Sequence, residues 1–175
     1  MDRQSGSDRY YIEQVAVTIP DKEMFLTQLR DISKRNKCTI VCLNKEMIAG
    51  QMHVETAISH AIRAWEDNQQ ISRSLEIEIL LYAAGTRQTS LISSFGPVEG
   101  DNLCYLCVVP PKADALNELL IFMPRCPDNW EAITEKKQER LMKFFSITKE
   151  ELDIVGEERL IDLVCERTAL LAVNR

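Results

Sequence analysis

A chain of 175 residues, 45% of them hydrophobic, can bury one sizeable core, and its length calls for a single domain over residues 1–175. The formal net charge of -6 is spread without a basic tract, which excludes wrapping of duplex nucleic acid through many phosphates and leaves only a small, local contact. The first ten residues lack the apolar run of a signal peptide and no segment reaches membrane-spanning length, so a cytoplasmic protein with no membrane partner and a loose N-terminus over residues 1–9 is expected.

Tyr10–Ile19, rich in aromatic and β-branched residues, reads as the first strand, closed by Pro20. Asp21 then caps a helix with Met24, Phe25, Leu29 and Ile32 on its apolar side and Lys34, Arg35 and Lys37 at its end, where cations complement the dipole. Cys38–Leu43 is almost wholly apolar and suits a central strand buried on both faces; strand, helix and strand so spaced permit a right-handed crossover. Val54, Ala57, Ile58, Ala61, Ile62 and Trp65 recur at helical steps, giving a half-buried helix that ends near Asp67-Asn68. A second helix runs from its N-cap Ser74 to Gly85, which can take the left-handed C-terminal conformation.

Leu91, Ile92 and Phe95 continue a helical pattern until Gly96-Pro97, and Gly100-Asp101-Asn102 reads as a turn. Leu103–Val109 is the third strand, Ala113–Met123 a helix, and residues 124–131 a loop with Trp130 pinned inward. The tail is helical, with Thr134 and Thr148 as N-caps, Leu141, Met142, Phe144, Phe145 and Leu152 as apolar faces, and Gly156 before a last helix. Together these elements make an α+β fold, a small mixed β-sheet with helices packed against it and a helical C-terminal region.

No catalytic constellation emerges. His53 and His60 share a helix face two turns apart, about 10 Å, too far for one metal ion, and read as partly buried polar-edge histidines. Cys104 and Cys107 point to opposite faces of a strand, and Cys38 and Cys42 sit in an apolar strand without further ligands, so all four read as core thiols. Neither a metal nor a cofactor is expected. A small enzyme using His53 or His60 stays a rival, and it requires a closed pocket with a second polar partner.

One polar element lacks a packing role. Directly after Gly85 come Thr86-Arg87-Gln88-Thr89, and an Arg beside a Gln at a helix end offers a planar fork of donors and an amide that donates and accepts, fit for phosphate or a base edge. Asn44, then His53-Val54, Ala57-Ile58 and Ala61, then Leu75-Glu76-Ile77-Glu78-Ile79-Leu80-Leu81-Tyr82-Ala83-Ala84-Gly85-Thr86-Arg87-Gln88, resemble the archaeal form of the small kinase-binding subunit of the KEOPS complex. Ala132-Ile133-Thr134-Glu135, Phe145-Ser146-Ile147-Thr148 and the last helix follow the same order, so the resemblance covers most of the chain, and Gly-x-Arg-Gln is its most specific piece. It departs in two places: the family pattern usually has Ile where Thr89 stands, and often Lys just before the helix histidine, where Gln51-Met52 stand.

The resemblance implies a non-catalytic subunit that binds the small atypical kinase directly and the threonylcarbamoyltransferase subunit indirectly. It also implies that Gly85, Thr86, Arg87 and Gln88, with His53, hold the single-stranded 3′ CCA end of tRNA for threonylcarbamoylation of the adenosine beside the anticodon. From the residues alone, the last helix is apolar over more than one stripe. Leu160, Leu163, Val164, Leu170 and Leu171 belong either to a central core helix or to a partner-facing one, and with the resemblance they become the expected kinase interface. The structural rival is a kinase-regulating scaffold that touches no RNA.

Overall fold

The computed structural model describes residues 8–174; the loose N-terminus expected over residues 1–9 lies outside them except for Asp8 and Arg9, which sit in a turn. In chain order the elements are β1 (Tyr11–Ile19), α1 (Lys22–Asn36), β2 (Thr39–Asn44), a 3₁₀ turn (Lys45–Met47), α2 (Gln51–Glu66), α3 (Leu75–Ala84) and a 3₁₀ helix (Thr89–Phe95). They continue with β3 (Gly100–Val109), α4 (Ala113–Phe122), α5 (Glu135–Phe145), α6 (Lys149–Val155), a 3₁₀ turn (Glu157–Arg159) and α7 (Leu160–Val173). The α+β class holds. Among the described residues no helix is long and apolar enough to cross a membrane. Two compact units result, one formed by Met1–Asn44 with Gly96–Asp128 and one by Lys45–Phe95 with Asn129–Arg175.

The first unit holds the sheet. Its order is β1-β3-β2, with β3 antiparallel to both neighbours, so the sheet is wholly antiparallel where a mixed one was expected. The reason is that β1 and β2 run parallel through α1 but never pair, because the later strand inserts between them. Cys38–Leu43, read as the central strand, is accordingly an edge strand, and β3 takes the centre. Gly100-Asp101-Asn102, read as a turn, opens β3 opposite Ile19, Thr18 and Val17. The turn signal there comes from the Asn102 side chain, which accepts from Val98 N–H (2.9 Å) and donates to the carbonyls of Val98 (2.7 Å) and Gly100 (2.9 Å).

Alternation along the strands sends Val15, Val17, Ile19, Ile40, Cys42, Cys104, Leu106 and Val108 to one face, where they join Phe25, Leu29 and Ile32 of α1 and Ala115, Leu116 and Leu119 of α4. Met24, placed on the buried stripe by periodicity, is 71% exposed: one residue before Phe25, it falls just off that face. The open edge of β1 is closed by the segment after α4, through Ala16 N–H to Pro124 (3.0 Å) and Cys126 N–H to Gln14 (2.8 Å), with the Gln14 amide donating to the carbonyls of Cys126 and Asp128.

The second unit is helical, and α3, α5 and α6 begin where side-chain oxygens satisfy orphan N–H groups. Ser74 accepts from Ile77, Thr134 from Lys137 and Thr148 from Glu151, the last in a reciprocal capping box. The α2 stripe is buried through Val54, Ala57, Ile58, Ala61 and Ile62, but Ala64 continues it and Trp65 is only half-buried. Phe95, Phe144 and Phe145 meet edge to face with centroids 5.0 to 6.3 Å apart. Trp130 is buried as expected, with the Lys45 ammonium 5.6 Å above its ring.

Candidate functional site: the turn at the end of α3

Gly85 ends α3 in the left-handed conformation at φ 62°, as the sequence indicates. Its N–H donates to the Tyr82 carbonyl (3.1 Å) and Thr86 N–H donates to Leu81 (3.1 Å), the two bonds of a Schellman motif. A Cβ at Gly85 would lie 3.3 Å from the Arg167 carbonyl oxygen and 3.7 Å from Phe145 Cε1, so the turn rests directly on α7 and α5. Thr86 Oγ1 then accepts from Gln88 N–H (3.1 Å), stiffening the next step. Arg87 and Gln88 are exposed at the tip. The Arg87 guanidinium makes a long bond, 3.5 Å, to the carbonyl of Asn174 past the end of α7.

His53 does not join them at the surface. It is buried, its Nδ1 accepts from Ala49 N–H (3.0 Å), and Nε2 therefore carries the proton and donates to the Ala83 carbonyl (2.8 Å). Its ring also meets Phe145 edge-on at 5.7 Å. Burial lowers its pKa to about 4, assisted by the Lys137 ammonium and opposed by the bond to Ala83, so the ring is neutral near pH 7. With both nitrogens occupied inside the unit, His53 braces α3 two residues before Gly85. His60 stacks on Tyr82 at 5.8 Å.

The expected kinase-facing residues divide. Leu160, Leu163, Val164 and Leu171 are buried and turn inward, because α7 packs along α2 and also meets α3 and α5. Within this chain they are core residues, and the helix's wide apolar surface follows from its having several neighbours. Leu170 is 42% exposed and Val173 77% exposed, and these keep α7 available on its outer side.

Two buried charges escaped the sequence reading. Glu78 accepts from Ile71 N–H (2.9 Å), Ser72 N–H (2.8 Å) and Ser72 Oγ (2.8 Å), fastening the loop before α3. Lys137 is buried with no hydrogen-bond partner for Nζ among the described residues; burial lowers its pKa to about 8 against the opposing pull of Glu46. The available signal for Glu78 was a carboxylate followed by the unbroken apolar run Ile79–Ala84. All six cysteines are free, burial pushes the Cys104 thiol up to about 12, and no group of three His, Cys, Asp or Glu among the described residues could hold a metal ion.

Residues 19–172 match the family described as kinase binding protein CGI-121, and the chain belongs to that family of kinase-binding proteins. No curated protein matches the chain.

Proposed function

We propose that this chain is a non-catalytic, cytoplasmic subunit of an archaeal-type KEOPS complex, binding the small atypical kinase directly and recruiting tRNA through its 3′ CCA end for threonylcarbamoyladenosine formation. The threonylcarbamoyltransferase subunit would be met only within the same assembly. One observation carries the RNA half of this reading. A Schellman-terminated helix fixes Gly85 and Thr86 while Arg87 and Gln88 stand exposed beyond them.

Arg can pair with a phosphate through two donors and stack its flat face on a base, and Gln can both donate to and accept from a base edge. A single short strand presents few phosphates, which suits a chain of net charge -6. For the kinase, Leu170 and Val173 form the candidate contact on α7. The same negative charge favours the scaffold alternative, a kinase regulator that binds no RNA. A gel shift at stated salt, with tRNA carrying and lacking its CCA end, separates the two: equal binding of both RNAs, or none, rejects the CCA contact.

A further inference from the structure

Arg167 sits in the middle of α7, 21% exposed at its side chain, and three helix ends meet on it. Its Nε donates to the Phe145 carbonyl (3.3 Å), and Nη2 donates to the Ser146 carbonyl (3.3 Å) and to both oxygens of Glu151 (2.8 and 2.9 Å). Phe145 and Ser146 close α5, where the last carbonyls have no intrahelical donor, and Glu151 belongs to the capping box that opens α6. The guanidinium therefore locks the α5–α6 junction onto α7.

The other side of the same residue faces the polar turn. The Arg167 carbonyl oxygen lies 3.3 Å from the place a Cβ on Gly85 would take, and the ring of Phe145, whose carbonyl Arg167 holds, is the nearest side chain at 3.7 Å. Phe145 also supports the His53 ring, which donates to Ala83 two residues before Gly85. Gly85 thus stands on a floor made of α7 backbone and the Phe145 ring, with His53 bracing the helix behind it. A contact made by two exposed side chains on one short turn is sensitive to how that floor is set, since a misplacement of about 1 Å weakens an oriented contact severely.

We infer that Arg167 is a positioning residue for the Gly85-Thr86-Arg87-Gln88 turn, setting its height and direction by clamping Phe145, Ser146 and Glu151 to α7. The inference rests on the reading of that turn as the CCA contact and adds the residue that determines its geometry. Lys at 167 would keep a charge for Glu151 but not the planar fork that reaches two carbonyls and a carboxylate together, and Met would keep only the stem.

The test uses the full chain with Arg167→Lys, Arg167→Met and Glu151→Gln, at a temperature where each is folded. Two quantities are measured: amide exchange at Gly85 and Thr86 relative to Ala57 and Ala61 of α2, and affinity for tRNA with and without CCA at fixed salt. Arg167→Met should reduce relative protection at Gly85 and Thr86 by about tenfold and remove about the same factor from CCA-tRNA affinity alone, with Arg167→Lys in between. A lower melting temperature with unchanged relative protection and unchanged CCA preference would make Arg167 merely structural and overturns the inference. If the wild type shows no CCA preference, the RNA reading falls, and the amides still decide whether Arg167 sets the turn. Should Arg167→Met fail to fold, Arg167→Lys and Glu151→Gln carry the same two measurements.

Discussion

In the sheet unit the face beneath α1 and α4 is filled by apolar side chains and thiols alone, whereas the helical unit encloses His53, Glu78, Lys137 and Thr168, the buried polar and charged residues among those described. The difference follows from what each unit holds in place. Strand alternation and a ladder of backbone bonds fix a sheet without help from buried side-chain polarity, and α1 and α4 need only cover it. The helical unit must hold an irregular loop before α3 and a polar turn after it. Loops carry backbone groups that no ladder satisfies, so Glu78 meets the N–H groups of Ile71 and Ser72, and His53 meets Ala49 and Ala83. Lys137 and Thr168, whose Nζ and Oγ1 have no hydrogen-bond partner among the described residues, are the unfavourable side of the same construction.

The largest effect is expected at Glu78. Replacing it with Leu leaves the N–H groups of Ile71 and Ser72 without their acceptor, and should lower unfolding stability by about 4 kcal/mol, measured by urea denaturation at pH 7. Glu78→Gln, which keeps an acceptor, should lose less than half of that. Equal loss in both variants would mean that the carboxylate charge, and not loop satisfaction, is what the buried position supplies.

The next effect separates the units by pH. His53 has a folded-state pKa of about 4 against 6.5, so the unfolded chain binds the extra proton first and stability falls as pH drops from 6.5 towards 4. The full difference is about 3 kcal/mol, present above pH 6.5 and lost below pH 4. His53→Gln should flatten that slope. Leu106→Ala in the sheet unit should instead lower stability by about 3 kcal/mol equally at pH 7 and pH 4.5, since no titrating group is touched. A slope that survives in His53→Gln would place the acid sensitivity elsewhere.

Lys137 works the other way along the pH axis. Its folded-state pKa of about 8 lies below 10.5, so its charged form opposes folding at neutral pH, and stability gained from deprotonation rises between pH 8 and 10.5. Lys137→Met, filling similar volume without the charge, should therefore raise stability by about 2 kcal/mol at pH 7 and by much less at pH 10.5. The check is the pair of urea midpoints at those two pH values. A loss of stability at pH 7 would show that Lys137 is paired in solution.

The parts that the sequence discloses are local ones. Asp21, Ser74, Thr134 and Thr148 cap helices through N–H groups three residues away, and Gly85 takes its left-handed turn because no Cβ opposes it. Arg87 and Gln88 stand out because nothing in their neighbourhood needs them for packing. What depends on distant partners is less visible: β2 reads as central because its apolar run does not reveal which strand lies beside it, and Met24 differs from Phe25 only by which side of α1 meets the sheet. Four leucine and valine positions of α7 looked available to a partner because a stripe of apolar residues looks the same whether α2 or another protein covers it. His53 was found as a family position, but its role needed Ala49 and Ala83, 4 and 30 residues away.

The smallest effect on stability is expected on the outer side of α7, where the helical unit has neither a core nor a polar brace. Leu170 is exposed while Leu171 beside it is buried, so Leu170→Glu should change unfolding stability by less than about 0.5 kcal/mol, in contrast to the interior changes above. Its effect should appear only when the partner is present. A charge placed in an apolar contact must be desolvated without an opposite charge prepared for it, and affinity for the kinase partner should fall at least about tenfold, about 1.4 kcal/mol. Val173, more exposed still and three residues on, lies near the same side of the helix, so Val173→Glu should act in the same direction. Co-elution with the kinase measures both. Undiminished co-elution of a folded double variant would move kinase docking off this side of α7, and a collapse of stability in Leu170→Glu alone would mean that its side chain is part of the core.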